Sequence, residues 1–85
     1  MKIILLPRAE KELRKLTKLD QIAVAQKIRT LPQSLSGEEK LSGFSNIFRV
    51  RVGNYRIVYR KAYKTRWIVL IGHRRDIYRM VKDLF

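Results

Sequence analysis

Apolar and polar residues alternate with one period in the first half of the chain and with another in the second half. A short apolar run, Lys2–Leu6, predicts a strand, and Pro7 suits the first turn of a helix that follows it. Ala9, Leu13 and Leu16 then recur at helical spacing between charged residues. The start of the chain therefore predicts a strand followed by an amphipathic helix.

A second helix is predicted directly after the first. Asp20 is a candidate N-cap, and Val24, Ile28 and Leu31 form an apolar stripe on one side of the helix. Pro32 and the polar stretch QSLSGEE that follows it predict the end of this helix and a loop. The two helices are expected to form a hairpin.

The period changes to two in the second half of the chain. Ile47–Val52, Tyr55–Lys61 and Trp67–Gly72 are rich in β-branched and aromatic residues and predict three strands, and Asp76–Phe85 predicts a closing helix. We expect a single α+β domain over residues 1–85, with an N-terminal strand, a two-helix hairpin, a three-stranded antiparallel meander and a short C-terminal helix. The helices are expected to pack on one face of the sheet.

The segment FRVRVGNYRIVYR, residues 48–60, predicts a β-hairpin. Gly53-Asn54 between two strand-like runs is typical of a two-residue turn, and this turn would place Arg51 opposite Arg56. Like charges that face each other across two strands destabilise a sheet. One face of the hairpin would be apolar and aromatic, and the other would carry Arg49, Arg51, Arg56, Val58 and Arg60.

The charge of the whole chain adds to this picture. Lys and Arg number 20 against seven Asp and Glu, which gives a net charge of +13. No acidic residue lies between Glu39 and Asp76, the region that contains the hairpin. We therefore expect an external polyanion, such as a nucleic-acid backbone, to neutralise the arginine face. The alternative is a basic, solvated sheet face that binds nothing.

Composition argues against several other classes of protein. The chain has no cysteine and a single histidine, His73, so we expect neither disulfides nor a three-ligand zinc site, and we predict no metal or cofactor. The apolar run Ile3–Leu6 is shorter than the core of a signal peptide, and no apolar segment approaches the length of a membrane span. We expect a cytoplasmic protein that makes no membrane contact.

At GNYRIVYR, residues 53–60, and at IGHRRDIYR, residues 71–79, the chain resembles the RelE/ParE superfamily of toxins, and within it the RelE-like branch. The resemblance extends over nearly the whole chain. It implies the toxin of a type II toxin–antitoxin system, an mRNA interferase that enters the ribosomal A site. In such enzymes the ribose 2′-OH attacks the adjacent phosphate and leaves a cyclic phosphate and a 5′-hydroxyl, without a metal or cofactor.

The resemblance also implies roles for individual residues. Arg56 matches the family arginine that holds the scissile phosphate, and Arg74 matches a second arginine that assists the leaving group. Tyr78 matches an aromatic residue that stacks on or orients a base. Because histidine has an ordinary pKa of about 6.5, His73 is a further candidate for catalysis or substrate contact, and a structural role is its alternative.

Arg49 and Arg51 stand where the best-known RelE branch has lysines, one of which is implicated as the general base. A guanidinium does not release its proton near neutral pH. We therefore assign Arg49 and Arg51, together with Arg60 and Arg75, to the binding of phosphate or ribosomal RNA. The general base stays unassigned.

Two other functions stay open from the sequence. ParE-like relatives share the fold and poison DNA gyrase, and an inactive relative would bind nucleic acid without cutting it. The set Arg56, His73, Arg74 and Tyr78 favours the nuclease. The expected partners are mRNA, ribosomal RNA and a cognate RelB-like antitoxin, a segment of which wraps the basic face or displaces the C-terminal helix.

Overall fold

A computed structural model describes residues 2–31 and 37–84 of the protein. The strands of this part of the chain form one sheet in the order β1-β5-β4-β3-β2, in which β1 is parallel to β5 and all other neighbours are antiparallel. The α+β class is confirmed. The elements are β1 (Lys2–Leu5), α1 (Pro7–Arg14), α2 (Lys18–Thr30), β2 (Glu38–Lys40), β3 (Ile47–Val52), β4 (Tyr55–Ala62), β5 (Thr65–His73) and α3 (Ile77–Leu84).

The hairpin of β3 and β4 has the predicted register. Val52 pairs with Tyr55, and Arg51 pairs with Arg56. Gly53, the first of the two turn residues, has a φ of 57°, which is the conformation required at this position of a type II′ turn and one that favours glycine. The turn therefore fixes the pairing that brings the arginines to one face.

The larger core lies between the sheet and the hairpin of α1 and α2. Glu12 of α1 accepts a hydrogen bond of 2.9 Å from the backbone N–H of Ile71, which holds this helix against β5. The buried strand residues on this face are Val50, Ile57, Tyr59, Ile68 and Ile71, and they pack against Ala9, Val24, Ile28 and Leu31 of the helical layer.

The second helix begins three residues earlier than predicted. Thr17, and not Asp20, is its N-cap: the Thr17 hydroxyl accepts a hydrogen bond of 3.4 Å from the backbone N–H of Asp20. The same hydroxyl donates to the Asp20 carboxylate at 3.0 Å. Asp20 thus occupies the first turn, where a negative charge is stabilised by the helix dipole.

The third helix lies on the opposite face of the sheet from α1 and α2, which corrects the expectation that the helices share one face. Ile77 and Val81 are buried with Val58 in a second, smaller core. A Cβ atom at Gly72 would lie 2.6 Å from Sδ of Met80, so α3 approaches β5 closely at this glycine. The helix packs on this face because the face also carries apolar residues such as Val58, and burying them against α3 removes them from water.

The short edge strand β2 occupies part of the segment that the sequence predicted as a loop. The Glu38 carboxylate, only 9% exposed, accepts a hydrogen bond from the Tyr59 hydroxyl and pairs with the Lys61 ammonium. Burial and the adjacent carboxylate raise the pKa of Tyr59. These contacts anchor β2 to the sheet. Gly37 precedes β2, and residues 32–36 of the predicted loop lie outside the described residues.

The close approach at Gly72 leads to a stability prediction. Gly72→Ala should lower the free energy of unfolding by about 1–3 kcal/mol, because the new methyl group overlaps the Met80 side chain. Chemical denaturation of Gly72→Ala, Met80→Ala and the double variant measures the coupling. The double variant should lose less stability than the sum of the single variants. Strictly additive losses would contradict the proposed contact.

The buried hydroxyl of Tyr59 predicts a pH dependence. Tyr59→Phe should cost about 1.5–3 kcal/mol at neutral pH, because it removes a hydrogen bond to a carboxylate. Since the folded-state pKa of Tyr59 is raised, this contribution is present below pH ~10 and is lost as the pH rises above the unfolded value. The stability difference from wild type should therefore shrink in alkaline solution.

Denaturation of wild type and Tyr59→Phe between pH 7 and 11 tests this. Tyr63→Phe is the control, because Tyr63 is 87% exposed and its removal should change little at any pH. A difference between wild type and Tyr59→Phe that is constant across this range would contradict the prediction.

Candidate nucleic-acid interface

Five of the predicted site residues meet in one open cavity of about 200 Å³. It lies where β2, the β3–β4 hairpin and the start of α3 come together. We call it the arginine cavity, and its lining consists of Gly37, Glu39, Arg49, Arg51, Arg56, Arg74, Ile77 and Tyr78.

Arg51 and Arg56 face each other across the hairpin and share an acceptor. Nε of Arg51 and Nη1 of Arg56 each donate to the carbonyl oxygen of Gly53 at 3.3 Å. Nη1 of Arg56 also donates to the carbonyl of Tyr55 at 3.0 Å. These carbonyl groups orient the two guanidinium groups and offset part of their repulsion, but they carry no full negative charge.

Arg49 is held differently, because it has an acidic partner. Its Nη2 lies 3.0 Å from the Glu39 carboxylate, and its Nη1 donates to the hydroxyl of Tyr78. The guanidinium carbon also lies 4.9 Å from the centre of the Tyr78 ring. The hydrogen bonds to Tyr78 and Glu39 raise the pKa of Arg49, so this side chain keeps its charge and fixes Tyr78 at the rim of the cavity.

Glu39 also lines the arginine cavity, although the sequence did not single it out. It reaches the arginine face because β2 pairs with β3 and sets Glu39 directly opposite Arg49. The face is therefore neutralised in part by the protein itself. The available signal was the pair Glu38-Glu39, which lies close before the arginine-rich strand, but three residues are too few to show an alternating pattern.

Arg74 enters the cavity from the segment that follows β5. Its backbone N–H donates to the carbonyl of Asn54 at 2.8 Å, which ties this segment to the hairpin turn. Within residues 2–31 and 37–84, the side chains of Arg51, Arg56 and Arg74 form no ion pair. Three guanidinium groups thus border one cavity without a carboxylate partner, an arrangement suited to a phosphate group.

Three of the predicted site residues lie elsewhere. His73 pairs with Tyr55 on the face that carries α2, and it lines a separate cleft of about 280 Å³ together with Asp20. Arg60 lies at the far end of the arginine face, where it lines another cavity with apolar residues. Arg75 is exposed and is not part of the arginine cavity. The roles assigned to these three residues stay predictions.

Two further properties concern the described part of the chain. Residues 2–31 and 37–84 contain no cluster of three or more His, Asp or Glu side chains that could hold a metal ion. Among the helices in these ranges, none combines the length and the apolar character needed to cross a bilayer.

A family model described as the ParE toxin of the type II toxin–antitoxin system parDE matches residues 3–78. The chain belongs to this family. The matched range includes every residue that lines the arginine cavity. No curated protein matches the chain in sequence.

Solved structures of RelE toxins have the same fold. The RelB–RelE complex of Methanococcus jannaschii matches with a TM-score of 0.76 and 24% identity, over 91% of this chain and 96% of that chain. The RelBE2 complex of Mycobacterium tuberculosis matches with a TM-score of 0.73 and 23% identity, over 85% of this chain and 95% of that chain. The intact RelBE complex of E. coli matches with a TM-score of 0.67 and 23% identity, over 85% of this chain and 94% of that chain.

The arginine cavity leads to a binding prediction for this member of the toxin family. Arg56→Ala should weaken binding of a 2′-O-methyl RNA oligonucleotide about tenfold or more, because a charge-assisted hydrogen bond to phosphate is lost. Arg29→Ala is the matched control: it removes the same charge from the exposed side of α2, outside the cavity, at a residue to which no RNA contact is assigned. Fluorescence anisotropy at fixed salt measures both. Equal weakening by the two substitutions would mean that net charge, and not the cavity, determines binding.

Proposed function

We propose that this toxin is a ribosome-dependent endoribonuclease that cleaves mRNA in the ribosomal A site. The observation that carries the proposal is the convergence of Arg51, Arg56 and Arg74, which have no carboxylate partner among the described residues, beside the aromatic ring of Tyr78. An RNA strand offers what this site lacks: a phosphate for the guanidinium groups and a base for the ring.

The reaction needs stabilisation of negative charge more than it needs any other contribution. When the 2′-oxygen attacks the phosphate, charge grows on the non-bridging oxygens, and preorganised donors lower the barrier. Arg56 and Arg51 are oriented by the Gly53 carbonyl and would hold these oxygens. Arg74 lines the same cavity and would stabilise the 5′-oxygen as its bond to phosphorus breaks.

Arg49 and Tyr78 have supporting roles in this proposal. The raised pKa of Arg49 makes it a binding group and not a proton acceptor. Tyr78 is 56% exposed, and the guanidinium of Arg49 lies against its ring, so an exposed aromatic surface remains on which a nucleobase can stack. The binding site would therefore order the RNA around the scissile bond.

An antitoxin is the protein partner that we propose. The RelE structures from M. jannaschii, M. tuberculosis and E. coli are complexes of toxin and antitoxin. The net charge of +13 on this chain suits a partner segment with acidic residues. A toxin that acts on ribosomes and is held by an antitoxin would function in the cytoplasm.

A second function has support from the family match itself, because the matching model is that of ParE toxins. ParE-like members of the superfamily poison DNA gyrase, and this activity does not require an RNA-cleaving site. A supercoiling assay separates the two functions: gyrase inhibition with intact translation would favour the ParE-like activity over the nuclease.

Primer extension on a message translated in a reconstituted system tests the proposed nuclease. The wild type should produce breaks in translated mRNA, and the products should end in a cyclic phosphate and a 5′-hydroxyl. Arg56→Ala and Arg74→Ala should each lower the cleavage rate about 100-fold or more, the loss that follows removal of a charge-stabilising donor. Arg29→Ala is the control and should cleave at close to the wild-type rate, because Arg29 lies on α2, outside the arginine cavity.

Circular dichroism shows whether each variant is folded. Wild-type protein that leaves translated mRNA intact would contradict the proposal. Undiminished cleavage by folded Arg56→Ala and Arg74→Ala would contradict the assignment of the site.

A further inference from the structure

A turn of three residues, Arg74–Asp76, joins β5 to α3, and within it the chain leaves the sheet for the helix that covers its arginine face. Its backbone is held by three hydrogen bonds. The N–H of Arg74 donates to the Asn54 carbonyl at 2.8 Å, the N–H of Asp76 donates to the His73 carbonyl at 2.9 Å, and the N–H of Arg75 donates to Nδ1 of His73 at 3.2 Å. Two of the three acceptors therefore belong to His73.

The His73 ring is fixed on its other side by an aromatic contact. The ring of Tyr55 packs against it edge to face, with centroids 5.6 Å apart and an angle of 80° between the planes. Because Nδ1 accepts a hydrogen bond, it carries no proton, and the neutral ring has its proton on Nε2. The imidazole is thus a fixed hydrogen-bond acceptor for the backbone N–H of Arg75.

The turn determines where two residues of the arginine cavity lie. Arg74 is inside the turn, and Tyr78 follows in the first turn of α3. The helix is in close contact with β5, because Met80 and Ile77 pack directly over Gly72. A loosened turn would displace Arg74 and Tyr78 together, and small errors of position are costly for in-line chemistry.

We propose that His73 is a positioning residue: its ring holds the backbone of the turn that carries Arg74 and Tyr78 into the arginine cavity, and it transfers no proton. This inference rests on the proposed nuclease function. His73 is the pairing partner of Tyr55, whereas Arg56 pairs with Gly72, and neighbouring residues of a strand point to opposite faces. The ring is therefore on the other side of the sheet from the guanidinium groups.

Two substitutions of similar size and polarity separate positioning from proton transfer. His73→Asn keeps an acceptor oxygen close to the position of Nδ1, whereas His73→Gln moves its amide towards the position of Nε2 and leaves Nδ1 without a substitute. Neither variant titrates near neutral pH. We expect His73→Asn to cleave within about threefold of the wild type and His73→Gln to be slower by about tenfold or more.

The pH dependence of cleavage is the second part of this test. The charged or titratable groups that face the ring are Asp20 of α2 and Tyr55 of β4. Because a proton on Nδ1 would remove the acceptor of the Arg75 N–H, the proposal predicts that acid slows the wild type but not His73→Asn. At alkaline pH the two proteins should cleave at similar rates. If both variants lose activity alike at every pH, including alkaline pH, His73 transfers protons and the proposal is wrong. The proposal would also be overturned if both variants cleaved at the wild-type rate, or if His73→Gln cleaved faster than His73→Asn.

A measurement on the protein without RNA keeps this inference distinct from the nuclease proposal. In the wild type, ¹⁵N NMR should show an unprotonated Nδ1 and a scalar coupling between Nδ1 and the Arg75 amide nitrogen. Protection of the Arg75 amide from hydrogen exchange should persist in His73→Asn and fall in His73→Gln. Absence of the coupling and equal exchange in folded variants would overturn the positioning role even if the wild type cleaves mRNA.

Discussion

The structure depends on a pairing that is unfavourable by itself, that of Arg51 with Arg56 across the β3–β4 hairpin. The glycine turn sets this register, and a slip by one residue would turn the arginines into the core and the apolar residues into water. Contacts within the protein offset only part of the repulsion between these arginines. The Gly53 carbonyl orients both guanidinium groups, and the carboxylate of Glu39 reaches only Arg49. The remaining positive charge is what an RNA phosphate would neutralise.

The position of α3 turns this charged face into a cavity. Its apolar side covers Val58 and so completes a second core, while Tyr78 on the same helix remains at the rim. Because the helix packs against Gly72 and begins directly after the turn that contains Arg74, packing and binding-site geometry are coupled. The edge strand β2 closes the opposite side of the cavity and is anchored by the buried carboxylate of Glu38.

Much of this fold follows from local patterns in the sequence. The dipeptide Gly53-Asn54 fixes a hairpin whose register can be deduced residue by residue, because turn geometry and alternation agree. The face occupied by α3 could not be deduced in this way, because Val58 is one apolar residue among arginines, and only the tertiary structure shows what covers it. The three-residue strand β2 was missed because its stability comes from the contacts of Glu38 and not from its own propensity. His73 was grouped with Arg74 because the two are adjacent in the sequence. His73 ends β5 on the face of Tyr55, whereas Arg74 belongs to the turn that follows and lines the arginine cavity, a separation that the sequence alone does not show.

The proposal that Arg51, Arg56 and Arg74 bind one phosphate together is tested most directly by NMR of the arginine side chains. The Nε–Hε signals would be followed while a short RNA with a 2′-deoxy residue at the cleavage position is added to the protein. The signals of these three arginines should shift together and saturate at one equivalent, while that of Arg29 on α2 stays unchanged. Similar, non-saturating shifts of all the exposed arginines would mean that RNA binds through the net positive charge alone and that the three arginines form no specific phosphate site.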